Sequence, residues 1–449
     1  MRRLERALAP EAAARALAER PGLVFLDGDG SEPMGRFSFV GSDPLAIVEA
    51  RADDADPLAV LARCTPPPPH GGPAPLGPEE VPAWIGFLAY DAAWAGRADA
   101  RHRRDAATPV VRFGRYDALL AFDHREGAAY LVGDDDGALS RLEARLEAPA
   151  PRLEARVGEI SIPDAAVHAR AIERVLEHIA AGDVYQVNLA RCFEAPFEGS
   201  ALALFLAMRE ASPVPFGFYA AHRDLAIAGR SMERFLRWDA SSRRVESRPI
   251  KGTTARAGAD AEERRALRAS EKEQAEHAMI VDLVRNDLGR VAETGSVKVE
   301  RLLEVEPYAR LHHMVSTVAA RTRVDVGAVD VLRAAFPPGS VTGAPKLRAI
   351  RLIEDLEDVA RGVYCGATGF VDRAGGLSLS VAIRTAQVAD GRVRYHAGGG
   401  LVWASDPSRE IAETELKAKV FFEAVETLRA RAGGDGTALR GGRAGSPES

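Results

Sequence analysis

Two alternating stretches, LAIAGRSMERFLRWD (225–239) and RRVESRPIKGT (243–253), are separated by only three residues, Ala240-Ser241-Ser242. A connection that short joins neighbouring strands antiparallel, because a parallel pair needs a crossover of a dozen residues or more. The pattern recurs in YCGATGFVD, LSLSVAIRTAQVA and RVRYHAGGGLVW, which follow one another between residues 364 and 403. Helices and strands do not alternate strictly. The expectation is an α+β fold built on antiparallel sheets rather than a doubly wound one.

A chain of 449 residues suits one large or two ordinary domains, and 46% hydrophobic with 28% charged residues is the balance of a soluble globular protein. The net charge of −6 leaves no basic footprint for nucleic acid. The short basic run RHRR (101–104) is flanked by acids and reads as solvated surface. Cys64, Cys192 and Cys365 are too far apart for a zinc pattern or a disulfide framework. The first 20 residues read as an amphipathic helix, and no apolar run approaches the ~20 residues that span a membrane, so a cytoplasmic protein is expected.

Residues 1–150 read as a sheet-rich subdomain, with strands near 23–27, 81–91, 110–122 and 128–132 and a helix at 137–147. GRFSFVGSDPLAIVEA (35–50) reads as two strands around a GSDP turn, and the Pro/Gly run 65–80 as a linker or surface loop. A second domain covers 160–430. It opens with a helix started by Pro163-Asp164 and stopped by Gly182, its apolar face on Val167, Ala171, Val175, Leu176 and Ile179. A long helix is expected over about 260–287, and a last one begins beside Ser405 or Asp406 as cap, with Pro407 in its first turn. Residues 431–449 read as a disordered tail.

Several residues carry chemistry. In VYQVNLARCF (184–193), Gln186 and Asn188 share a side, which is either polar cavity or solvent-facing surface. Glu273 and Glu276 share a helix face, as do Glu410, Glu413 and Lys417. Four carboxylates on two elements suit Mg²⁺, although acidic pairs on helices are usually solvated. GSVTGAPK fails the phosphate-loop pattern, because Leu347 follows the lysine. The glycines of AGGGLV, Gly398, Gly399 and Gly400, are either an anion-binding backbone or a bulge in a strand. Arg384 lies among apolar residues and needs a carboxylate, from the protein or a substrate. His313 is an acid–base candidate or a core histidine. Lys251 is a salt-bridged lysine or a nucleophilic amine.

Taken together, GDVYQVNLARCF, SMERF, RPIKGT, EQAEHAMIVDLVRNDLGRV, FPPGSVTGAPKLRAI, SVAIRT, AGGGLVWASDP and EIAETELKAK make the chain resemble the chorismate-utilising enzymes, densely over 160–428 and more weakly through GRFSFVGSDP and WIGFLAYD. The resemblance implies large antiparallel sheets packed face to face with helices outside. It implies chorismate as substrate, with Mg²⁺ held by Glu276 and Glu413 and with Glu273 and Glu410 close by. Tyr364, Arg384 and the Gly398–Gly400 backbone would take the pyruvyl carboxylate. Gln186, Arg290, Thr342 and Lys417 are further substrate-site positions by the same resemblance, and His313 joins Lys251 and Glu233 among the catalytic ones.

Three positions discriminate within the family. Water-adding members carry a lysine where this chain has Gln186. Members that aminate at C2 and release anthranilate carry alanine in place of Lys251. Tryptophan-regulated members have LLES where this chain has FLDG (25–28). The resemblance therefore implies amination at C4 through a covalent Lys251 intermediate, with Glu233 as general acid, toward 4-aminobenzoate and folate. Amination at C2 is the alternative. One departure is SMERF, with Met232 where proline is usual. No cysteine sits in a glutaminase-type turn, so a separate glutaminase subunit is expected to supply ammonia in a heterodimer.

Overall fold

The computed structural model describes residues 1–31, 34–67, 76–77, 79–93, 108–308 and 311–434. Two antiparallel sheets dominate it. The twelve-stranded sheet runs, edge to edge, through Arg2–Arg3, Ala128–Gly133, Ala118–Asp123, Phe37–Gly41, Val24–Asp27, Phe216–His222, Leu225–Ser231, Thr385–Ala389, Arg392–Leu401, Gln186–Gly199 and Gly343–Ala344, with Ala155–Val157 paired beside Gln186–Gly199. The ten-stranded sheet runs through Ile250–Ala255, Leu311–Arg321, Arg244–Arg248, Arg234–Trp238, Leu377–Val381, Ala367–Asp372, Pro82–Leu88, Val111–Arg115 and Ala46–Ala50, with Lys298–Pro307 paired to Leu311–Arg321. Each sheet takes strands from both sides of residue 150.

The sheets meet face to face over one core. Val24, Phe39, Leu119, Phe218 and Ile227 of the larger sheet pack with Ile85, Phe87, Phe113, Leu236 and Leu379 of the smaller. Phe39 and Phe370 stand 6.5 Å apart across it. A second core fills the outer face of the larger sheet, where Phe25, Leu120 and Tyr395 meet Leu139, Phe205 and Phe421 of the helices. Helices thus cover the outside, as the α+β reading requires.

Several local expectations are corrected. The N-terminal helix is only Pro10–Ala16, because Arg2 and Arg3 pair with Leu131 and Tyr130 as an edge strand. Phe37–Gly41 and Ala46–Ala50 are not a hairpin; they belong to different sheets. The 260–287 helix is two helices, Asp260–Ala269 and Glu271–Gly289, because Ser270 leaves helical geometry and its hydroxyl caps Glu273 N. The buried face of Ala165–Ala180 is His168, Ile172 and Val175, and Val167 is exposed. The last helix, Pro407–Gly434, continues through 431–434, where Arg431 pairs with Glu210 at 2.9 Å. The rest of the predicted tail, the RHRR run and most of the 65–80 stretch lie outside the described residues. No helix among the described residues is long and apolar enough to cross a membrane.

Candidate active site

The chain crosses between the sheets twice at one place. Leu225–Ser231 ends in the larger sheet and Arg234–Trp238 begins in the smaller, so Met232 and Glu233 span the seam. Leu377–Val381 returns to Thr385–Ala389 the same way, with Arg384 at φ 52° in the turn. The crossings are tied together by Val381 N donating to Glu233 O at 3.0 Å and Arg230 N donating to Arg384 O at 3.0 Å. Two stretches that look like continuous strands in sequence are therefore broken beside Glu233 and Arg384.

Glu233 is buried, and burial pushes its carboxyl up to about 7, against the Ser340 hydroxyl, the Ile250 amide and the Lys251 charge, which pull the other way. Lys251 lies on the strand Ile250–Ala255, and its Nζ pairs with Glu276 Oε2 at 2.9 Å. Gly252 follows at φ 92°, where a side chain would strain the backbone and a Cβ would stand 3.0 Å from Glu273 Oε2.

Gln186 is fully buried, and neither atom of its side-chain amide has a hydrogen-bond partner. It faces the same spot as Lys251: a Cβ on Gly400 would lie 2.8 Å from Lys251 Nζ and 2.9 Å from Gln186 Nε2. The glycine run is not a loop. It is the end of the strand Arg392–Leu401, paired Gly400 to Asn188, Gly399 to Leu189 and Gly398 to Ala190. Its missing side chains open space on both faces, since a Cβ on Gly399 would stand 2.8 Å from Glu410 Oε2 and 3.8 Å from Glu413 Oε1. Gln186 and Asn188 are buried, so the solvent-facing reading of that side is the wrong one.

The four glutamates gather here. Burial, then the Glu276 charge, raises the Glu273 carboxyl, and Glu413 adds to it. Burial also raises Glu410, against a 2.7 Å hydrogen bond from Ser405, with Glu413 pushing upward again. Burial pushes Glu413 up, but Lys417, 2.6 Å away, outweighs it and holds this carboxyl below its ordinary range. Glu276 is shared between Lys251 and, at 3.8 Å, Lys272. Crowded oxygen donors of this kind fit a hard divalent cation. They are gathered but not closed: among the described residues, the one triple of ligand atoms within 4.8 Å is elsewhere, at Asp260, Glu263 and His312.

Arg384 donates to Lys417 O at 2.7 Å and has no ion-pair partner among the described residues. Lys417 Nζ also donates to Gly398 O at 2.8 Å. His313 sits 2.8 Å (Nδ1) from Thr253 Oγ1; burial, with the Arg384 charge beside it, pushes the ring down to about 4, so it is neutral at physiological pH. Tyr364 is buried and stacks on His396 at 5.3 Å, and His396 precedes the glycine run on its strand. Thr342 is fully buried; its hydroxyl donates to Pro338 O at 2.8 Å and its carbonyl accepts from Asn188 N at 2.8 Å. It shapes the backbone beside Gln186 instead of offering a free hydroxyl.

Arg290 is not brought into this cluster. It is exposed at the end of Glu271–Gly289 and donates to Ala334 O at 3.1 Å. Lys346 has its three protons on Asp287 (2.7 Å), Ala335 O (2.7 Å) and Pro337 O (2.9 Å), which leaves it no free donor for a phosphate. Sequence reasoning missed Ser340 and Thr253, although both sit in or beside the quoted motifs. It also missed the Arg361–Glu357 pair (2.6 Å), which binds the Gln186 strand at Asn188 O (2.6 Å) and Ala190 N (2.8 Å). A separate cavity of about 230 Å³ lies between the sheets, lined in part by Asp27, Phe37, Phe39, Phe218 and Arg234.

The chain belongs to the chorismate-binding enzymes: the model of that family matches residues 25–423. Among relatives, it is 36% identical to aminodeoxychorismate synthase component 1 of Salmonella typhimurium, over 90% of this chain and 93% of that one. It is also 36% identical to anthranilate synthase component 1 of Streptomyces coelicolor, over 89% and 82%. It is 40% identical to an aminodeoxychorismate synthase of Streptomyces griseus over 77% of this chain, but spans only 50% of that longer protein. The crystal structure of anthranilate synthase component I from Streptococcus pneumoniae superposes with a TM-score of 0.76 at 30% identity, over 87% of this chain and 93% of that one.

Proposed function

We propose that this chain is an aminodeoxychorismate synthase component 1, which replaces the C4 hydroxyl of chorismate with ammonia to give 4-amino-4-deoxychorismate. Relatives of both activities are equally similar, so overall identity does not choose between them. The observation that carries the reading is Lys251, whose Nζ stands against the side-chain-free face of Gly400, between the Gln186 amide and Glu276.

Each group then has a task. Glu276 and Glu413, with Glu273 and Glu410 close by, would hold Mg²⁺. When bound, that ion supplies positive charge for the ring carboxylate of chorismate. Arg384, unpaired with any described carboxylate, receives the pyruvyl carboxylate beside Tyr364. Lys251, as the free amine, forms a bond to C2. The two ring double bonds shift, the C4–O bond breaks, and the Glu233 proton leaves with the hydroxyl as water. Ammonia then bonds to C4, the double bonds shift back, the C2–N bond breaks to return the neutral amine, and the proton that the incoming nitrogen sheds restores the Glu233 carboxyl. Gln186 is neutral and offers no base to activate water. His313, uncharged, serves as a hydrogen-bonding partner.

Ammonia would come from a separate glutaminase subunit, in keeping with the "component 1" in the relatives' names. The purified chain should therefore use ammonium salts and not glutamine; turnover of glutamine by the chain alone would contradict this. Amination at C2 to anthranilate is the second reading, favoured by the equal similarity to anthranilate synthases. Separating the products decides between them.

A further inference from the structure

We infer that Asp260, Glu263 and His312 form a second divalent-cation site, distinct from the four glutamates and of a chemistry that prefers a borderline ion such as zinc. His312 is fully buried on the strand Leu311–Arg321, and neither of its ring nitrogens makes a hydrogen bond. Its Nε2 is aimed at two carboxylates on the first turn of the helix Asp260–Ala269: Glu263 Oε2 at 3.2 Å and Asp260 Oδ1 at 3.5 Å. Glu263 Oε2 is itself buried and unpartnered. A shared proton would make an ion pair of the same groups, and metal binding is the outcome that separates a cation site from that pair. The two separations from His312 match a different geometry, and the third, between the carboxylates, lies within 4.8 Å. Ligands about 2.0–2.1 Å from a tetrahedral zinc stand roughly 3.3–3.4 Å from one another.

The surroundings hold the donors in place. Glu263 Oε1 accepts from Ala257 N at 2.9 Å and Ala259 N at 3.3 Å, which leaves Oε2 free to turn inward. Asp260 accepts from Arg256 Nε at 3.0 Å (Oδ1) and 3.1 Å (Oδ2) and from Arg256 Nη2 at 2.8 Å (Oδ2); a carboxylate oxygen has a lone pair left for a metal. His312 Nδ1 has no such support, so packing alone fixes the ring. One imidazole with two carboxylates suits zinc better than magnesium, which favours all-oxygen octahedra, and water completes the fourth position.

The site bears on the Lys251 strand. His312 pairs with Thr254, and the next residue, His313, pairs with Thr253. An ion here ties the Asp260–Ala269 helix to the strand pair that carries Lys251 and His313.

The test is zinc binding by titration calorimetry and equilibrium dialysis on the metal-stripped full chain, without substrate, together with the visible spectrum of the cobalt form. One ion per chain is expected at this site, beyond any held by the four glutamates, with a tetrahedral cobalt spectrum. Affinity should fall at least tenfold in Glu263→Gln and in His312→Asn, each checked for native circular dichroism, and stay unchanged in Glu413→Gln. Because His312 is buried and its variant can lose its fold, Glu263→Gln alone is sufficient to decide. Unchanged affinity in Glu263→Gln, loss of affinity in Glu413→Gln instead, or no stoichiometric binding overturns the inference.

Discussion

At the scale of single residues, the site depends on one carboxyl held unusually high and one amine held in place. In the proposed mechanism Glu233 donates to the leaving hydroxyl only while protonated, so kcat should fall as pH rises through about 7. Glu233→Gln should lower kcat by roughly 10²–10⁴ and remove that alkaline limb; a variant that keeps the wild-type profile would exclude Glu233 as the acid. The same carboxyl carries a stability cost. Its folded value lies above its unfolded one, so the folded state is favoured at low pH and loses stability as pH rises from about 4.5 to about 7, by about 3 kcal/mol at most. Thermal melts should show Glu233→Gln drawing ahead of wild type between pH 5 and pH 8, and a constant difference would refute the burial argument. These residues were legible in the sequence because SMERF and RPIKGT resemble motifs of the chorismate-utilising enzymes. Their burial was not legible, because it arises where two distant crossings meet.

At the scale of elements, the glycine run shows what sequence alone leaves open. Gly398, Gly399 and Gly400 fit either a loop or a strand by composition. The strand wins because ten residues from Arg392 to Leu401 pair with Gln186–Gly199 and give the glycines a register. Their role is then steric. Gly400→Ala would push a methyl to within 2.8 Å of Lys251 Nζ and should cut kcat/KM on the order of a hundredfold while Tm moves little. A large drop in Tm with normal residual kinetics would make the glycine structural instead. The two sheet crossings were also hidden, since LAIAGRSMERFLRWD and LSLSVAIRTAQVA keep an apolar pattern across the break when both flanking strands are buried.

At the scale of the molecule, the two large sheets do not divide at residue 150. Asp27, in the N-terminal part, pairs with Arg230 at 2.6 Å, each side chain 1% exposed, across the strand between them at Gly217. A Cβ at Gly217 would stand 2.2 Å from Arg230 Nη1. Removing one partner leaves a buried charge, so Asp27→Ala should cost about 3–5 kcal/mol in denaturant unfolding. Residues 160–430 expressed alone should fail to fold cooperatively, because both sheets would lose several strands and bare their edges. Antiparallel α+β architecture was readable from short connections between strands. The sharing of sheets was not, because pairings such as Phe218 with Leu26 join residues far apart in sequence that carry no local signal.

The central claim, that Lys251 directs amination to C4, is tested most directly by product analysis. Purified chain is incubated with chorismate, Mg²⁺ and ammonium, and the products are separated with and without added aminodeoxychorismate lyase. The account predicts 4-aminobenzoate only when the lyase is present, and its loss or diversion to anthranilate in Lys251→Ala. Anthranilate formed directly by the wild-type chain would contradict it.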